Sequence, residues 1–196
     1  MRPVIFIHIP KTGGVSIFHA LKAAGAMISG YGNCHKTIEE KIKKKNAPIL
    51  GVVRSPYDRI HSIYDFYLKA KLGIHGQVLL NGARGPSFKE FIESFETKYF
   101  NKAVHFTTCF NYLKKGDAIG VTDILRFETL QQDFEAVCKK YDITATLKHL
   151  NQNPHRDKNI DKDQMFKHNM RQIIEQCFAD DFKHFGYSWE SYLEGK

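Results

Sequence analysis

The most constraining stretch of the chain is Val4-Ile5-Phe6-Ile7-His8-Ile9-Pro10-Lys11-Thr12-Gly13-Gly14-Val15-Ser16-Ile17. Its β-branched and aromatic run predicts a buried strand, Pro10 stops it, the glycine pair makes a turn, and an apolar-periodic segment starts a helix. A strand feeding a helix through so short a loop is the beginning of an α/β layer fold. The loop also has a chemistry. Glycine lets backbone approach a ligand closely, and the first N–H groups of a helix have no intrahelical partner. Gly13, Gly14 and Val15 thus form a socket for a tetrahedral anion at the positive helix end. Lys11 adds a full charge, and Thr12 and Ser16 add hydroxyl donors. The loop departs from G-x-x-x-x-G-K-[ST], because its lysine precedes the glycines and it is shorter.

A second strand is predicted over Ile49-Leu50-Gly51-Val52-Val53, an apolar run with charge only at its end, as in a strand buried on both faces. The next helix is announced by Ser55 as N-cap, Pro56 at the first helical position and Asp58 in the first turn. Ile60, Ile63, Tyr64, Tyr67 and Leu68 give its core stripe. Arg54 stands at the strand's carboxyl end, and Ser62 lies seven residues beyond Ser55, two turns up on nearly the same face. A guanidinium fork with a hydroxyl opposite suits a phosphate monoester.

Farther on, Gly73 to Pro86 reads as a glycine-rich loop over the site that could close on an acceptor. Ser87 and Glu90 form a capping box, and the 99–112 region, with His105, takes no clear assignment beyond a preference for core. A third strand is expected from Asp123 to Phe127, followed from Thr129 by a helix burying Leu130, Phe134, Val137, Cys138 and Tyr141. A last helix, from Asp161 to Gly186, carries Phe166, Met170, Ile173, Ile174, Cys177, Phe178 and Phe182. The resulting expectation is one 1–196 domain of P-loop-like, three-layer α/β fold, with a central, mainly parallel sheet flanked by helices. Ligands in such sheets bind beyond the carboxyl ends of the strands, where both anion motifs fall.

Composition narrows the partners. A net charge of +8 favours anionic ones without choosing between a nucleotide, an acidic glycan and nucleic acid. The four cysteines, Cys34, Cys109, Cys138 and Cys177, form no C-x-x-C pair, which argues against zinc or a redox dithiol. No apolar run approaches the ~20 residues of a membrane span. Nothing at the start resembles a leader peptide, so the cytoplasm is the expected compartment.

His8-Ile9-Pro10-Lys11-Thr12-Gly13-Gly14 resembles the 5′-phosphosulfate loop of sulfotransferases that use 3′-phosphoadenosine 5′-phosphosulfate (PAPS), in particular the carbohydrate enzymes of heparan or uronyl 2-O type. Arg54-Ser55-Pro56-Tyr57-Asp58-Arg59 with Ser62 resembles the same family's 3′-phosphate motif, in which the matching arginine and serine hold that phosphate. Arg126-Phe127-Glu128-Thr129-Leu130 is similar to a segment after a central strand of that family, where its role is mostly structural. The loop His149 to Asp157 resembles the segment that closes over the nucleotide, which nominates Arg156 as a phosphate contact. His35, between the two donor motifs, resembles in its spacing the catalytic histidine of uronyl 2-O-sulfotransferases, and histidine suits a general base near neutral pH.

The resemblance implies in-line sulfuryl transfer from PAPS to a hydroxyl, with 3′,5′-adenosine bisphosphate as product and a carbohydrate as the expected acceptor. Lys11 would stabilise charge on the bridging and sulfuryl oxygens. No metal-binding carboxylate set stands out, so metal independence is expected. His35 as an ordinary structural or exposed histidine stays open, as do two other functions. One is a small-molecule kinase with an atypical phosphate loop. The other is a basic nucleic-acid-binding module, against which stand dispersed basic residues, clustered only at Lys41 to Lys45.

Overall fold

The computed structural model describes residues 2–27, 35–41, 47–69, 86–148 and 161–195. In chain order the elements are β1 (Ile5–Ile7), α1 (Gly14–Ala23), α2 (Ile38–Lys41), β2 (Ile49–Val53), α3 (Pro56–Lys69), α4 (Phe88–Glu93) and α5 (Phe95–Lys98). A 3-10 turn at Val104–Phe106 precedes α6 (Cys109–Leu113), the strands β3 (Lys114–Lys115), β4 (Ala118–Ile119) and β5 (Asp123–Arg126), and α7 (Leu130–Lys140). The chain closes with α8 (Lys162–Met165), α9 (His168–Cys177), α10 (Ala179–Phe185) and α11 (Trp189–Leu193). These elements group into two compact units. One takes the described residues of 1–54 and 108–157, the other those of 55–107 and 158–195.

The first unit is built on a parallel three-stranded sheet in the order β1-β2-β5. Ile5, Phe6, Ile7, Leu50, Val52 and Val53 are all buried, which is why β1 and β2 read as continuous apolar runs rather than alternating ones, whereas β5 buries only Leu125. On one face Val4, Phe6, Leu50, Val52 and Leu125 share a core with Ile17, Phe18 and Leu21 of α1 and with Phe134, Val137 and Cys138 of α7. Helix α1 has only 10 residues. That is below the ~12–15 at which an isolated helix holds, so packing rather than propensity keeps it folded. On the other face α6 comes so close that a Cβ at Gly51 would sit 2.5 Å from a Leu113 methyl carbon. The sheet with helices on both faces is the α/β architecture expected from the sequence.

The second unit is a helical cluster around Tyr57, Ile60 and Ile63 of α3, Phe91 and Ile92 of α4, Phe95 of α5, and Phe166, Met170, Ile174, Phe178 and Tyr192. The Ser87–Glu90 capping box is present in full. Tyr57 is completely buried and donates its phenol to Glu175. Burial first, then the carboxylate, push its pKa well above that of a free tyrosine. Arg59, also fully buried, donates to the carbonyl of His105 at 3.3 Å. His105 is itself buried, its ring stacked on Phe66 at 5.5 Å, as the core assignment anticipated.

Two expectations need correction, and one unassigned stretch gains a structure. The single helix from Asp161 to Gly186 is three helices, α8, α9 and α10. Asp161 does cap the first of them and Gly186 (φ 66) ends the last. The chain leaves helical geometry at Phe166 (φ -113, ψ 79) and bends at Phe178 (φ -109, ψ 26), and both rings are fully buried, a placement one straight amphipathic helix does not give. The third strand ends at Arg126 rather than Phe127. The 99–112 region carries a 3-10 turn and α6, and leads into the unforeseen β3–β4 hairpin.

Cys109, Cys138 and Cys177 are buried free thiols. Burial, seconded by Glu96, pushes the Cys177 thiol up to about 11, so it stays protonated as a small hydrophobe. Cys34 lies outside the described residues. No described helix is long and apolar enough to cross a membrane.

The Gly51–Leu113 approach yields a prediction. Gly51→Ala should lower stability by about 1–3 kcal/mol through overpacking. Leu113→Ala should absorb part of that cost, so the double variant should be less than additive in urea unfolding. Additive losses would mean that the two residues do not touch.

Candidate active site at the carboxyl ends of the parallel strands

The sheet register assembles the site. Ile7 pairs with Gly51, and Val53 pairs with Arg126, all strands running the same way. The residues that follow, His8, Arg54 and Phe127, therefore emerge at one edge of the sheet, and Phe127 N–H donates to the Val53 carbonyl at 2.9 Å. This edge is where open α/β sheets place ligands.

The first loop is tight and strained. Thr12 is fully buried and its hydroxyl donates to the Ile9 carbonyl at 3.0 Å, so that proton closes the turn. Lys11 has φ 66, a left-handed conformation that costs a non-glycine residue on the order of 1–2 kcal/mol. Gly13, at φ 80, is the N-cap of α1 and makes no side-chain cap bond. Ser16 N–H donates back to the Gly13 carbonyl at 3.1 Å and opens the helix. The first turn of α1 has no acidic residue, so no carboxylate within it offsets the helix's positive end. Val15 is half-buried and Ser16 is buried.

The glycines are required by crowding on both sides. A Cβ on Gly13 would lie 3.0 Å from both Phe127 and Leu130, and one on Gly14 would lie 2.2 Å from the His8 ring. His8 is buried and stacks on Phe6 at 5.9 Å.

Arg54 fastens this loop to β2. It is 4% exposed, its Nη1 donates to the Lys11 carbonyl at 3.0 Å, and its guanidinium lies 3.8 Å from the centroid of the Phe127 ring. The donated bond holds the carbonyl of the strained residue, which is how a sparsely populated conformation persists. A desolvated cation over an aromatic face adds up to about 2 kcal/mol.

His35 sits against the same loop. Its Nδ1 is 3.1 Å from the His8 carbonyl, and the two imidazoles meet edge to face with centroids 4.7 Å apart. Lys11, Gly13, Gly14, Arg54 and His35 thus gather around one strand edge. Ser62 is half-buried on α3 and belongs to the second unit. Arg156 lies outside the described residues, as do most of the Gly73 to Pro86 loop and all of 149–157.

Two further residues belong to this edge: Phe127, from whose segment the sequence nominates nothing, and His8, which opens the loop motif and reads from sequence as packing or orienting that loop. Phe127 is the first residue after β5 and forms a wall shared by Gly13 and Arg54. His8 is the first after β1 and touches both the loop and His35. Their common signal is position, one step past the end of a parallel strand.

A protein-family model described as Sulfotransferase family matches residues 2–188. The chain belongs to that family, whose members are transferases of sulfuryl groups. Comparison with curated proteins found no match.

The shared wall can be tested without ligand. Phe127→Leu keeps an apolar side chain but removes the aromatic face. Amides of residues 11 to 14 should then exchange with solvent faster, by an amount corresponding to about 0.5–2 kcal/mol of local stability. Unchanged exchange there would show that Arg54 does not depend on the ring.

Proposed function

We propose that this sulfotransferase takes its sulfuryl group from 3′-phosphoadenosine 5′-phosphosulfate and passes it in line to a hydroxyl, with a carbohydrate as the acceptor class. The observation that carries the reading is the Arg54 to Lys11 hydrogen bond. It joins two anion-binding motifs, one suited to the 5′ side of the donor and the other to a separate phosphate. A kinase donor needs only the first. The glycine-lined turn, packed too tightly for any Cβ at Gly14, supports a backbone cradle rather than a side-chain one.

On this reading the main chain from Thr12 to Ser16 and the Ser16 hydroxyl hold the 5′-phosphate. Arg54, with Ser62 and Arg156 as the resemblance has them, holds the 3′-phosphate. Lys11 offsets charge on the sulfuryl and bridging oxygens as the leaving phosphate becomes more negative. His35 accepts the proton of the attacking hydroxyl. A new bond forms between that oxygen and sulfur, the bond from sulfur to the 5′-phosphate oxygen breaks, and 3′,5′-adenosine bisphosphate departs. What the enzyme supplies is position and electrostatics.

Lys11→Ala and Arg54→Ala should each reduce kcat/KM by about 100-fold or more, the scale of losing a charge-stabilising donor. Thermal melts should show 3′,5′-adenosine bisphosphate stabilising the wild type and ATP with magnesium failing to do so, the reverse pattern indicating a kinase. His35→Ala should lower turnover by about 100-fold with little change in nucleotide affinity, the usual reach of general-base catalysis. Wild-type turnover in that variant on the true acceptor would remove His35 from the base role.

A further inference from the structure

We propose that His8 is a positioning residue for His35, setting which imidazole nitrogen carries the proton and tying that ring to the donor loop. The inference rests on the reading of His35 as the base and goes on to say what makes it one. The partner of His35 Nδ1 is a main-chain carbonyl, 3.1 Å away. A carbonyl cannot donate, so Nδ1 must carry the hydrogen. In the neutral ring the lone pair then resides on Nε2, and a base requires that lone pair. In water a neutral imidazole prefers the opposite arrangement, with its proton on Nε2. The contact with His8 therefore selects the reactive tautomer before any substrate arrives.

The His8 side chain adds the second half of the device. Its ring meets the His35 ring edge to face at 4.7 Å and rests on Phe6, where it is 3% exposed. It also occupies the space a Cβ on Gly14 would need, with 2.2 Å between that position and the His8 Cδ2. One buried ring thus touches the base and the phosphate loop together. A shift of the loop moves the wedge, and a shift of the wedge moves His35. Misplacement of a catalytic group by about 1 Å can cost two orders of magnitude in rate, so such a wedge has kinetic consequences.

The test uses the full chain with 15N-labelled histidine at about pH 8.5, well above the ordinary imidazole pKa of ~6.5, with His35 assigned by its loss in His35→Gln. The wild type should show a protonated Nδ1 and an unprotonated Nε2 on His35. His8→Ala should shift those signals toward the aqueous mixture and lower kcat by roughly tenfold, with donor KM changed by less than about threefold, since it disturbs the base more than the donor cradle. His8→Phe, which keeps an aromatic wedge, should restore both readouts. A wild-type His35 with its proton on Nε2 would overturn the proposal while leaving the base assignment to the His35→Ala kinetics. So would a His8→Ala variant with unchanged spectra and turnover. The expected tautomer together with full turnover in His35→Ala would instead sink the base assignment, and the catalytic meaning of the contact with it.

Discussion

Parallel register is the constraint on which everything at this site depends. Ile7 beside Gly51 and Val53 beside Arg126 place three chain exits side by side. Because the strands run the same way, each must be left at the same edge. His8, Arg54 and Phe127 become neighbours through that geometry, although 46 and 73 positions of sequence separate them (54 − 8 and 127 − 54). An antiparallel pairing would send one exit to the opposite edge and dissolve the constellation. Such a sheet asks for apolar strands with helices covering both faces, and β1 and β2 meet that demand, whereas β5 buries Leu125 alone.

Within that frame the loop after β1 stores strain. Lys11 stands in a left-handed conformation without being glycine, and its carbonyl is held by a buried guanidinium that leans on Phe127. Strain of this kind marks functional sites because the surroundings must hold it in place. Here the holding group is itself a candidate ligand for phosphate. Arg54 thus has two demands on one fork of donors: keeping the loop in shape and meeting an anion. Gly13 and Gly14 complete the squeeze, one against Phe127 and Leu130 and the other against His8.

The helical second unit follows other rules. Its core is a set of rings, with Tyr57 meeting Phe166, Phe182 and Trp189 at centroid distances of 5.1 to 5.4 Å. Such edge-on contacts need each ring at a particular azimuth, and the backbone bends at Phe166 and Phe178 to supply it. Periodicity alone reads those residues as one continuous stripe, which is why one helix was expected where three are found.

Local chemistry in the sequence determined the strand–loop–helix at residues 4–17, the second strand, the start of α3 at Pro56 and the Ser87–Glu90 box, because each depends on neighbours within a few positions. Lys11, the glycines and Arg54 stood out as candidate groups for the same reason. Only the tertiary structure decided that Arg54 grips the Lys11 carbonyl, that Thr12 spends its hydroxyl on Ile9, and that Phe127 belongs to the site rather than to the sheet. It also decided that His35 faces His8. These are contacts across strands, and a single chain's pattern encodes strand edges and helix faces without stating which edge will lie beside which. Register, set by the packing of the whole sheet, supplies that last piece.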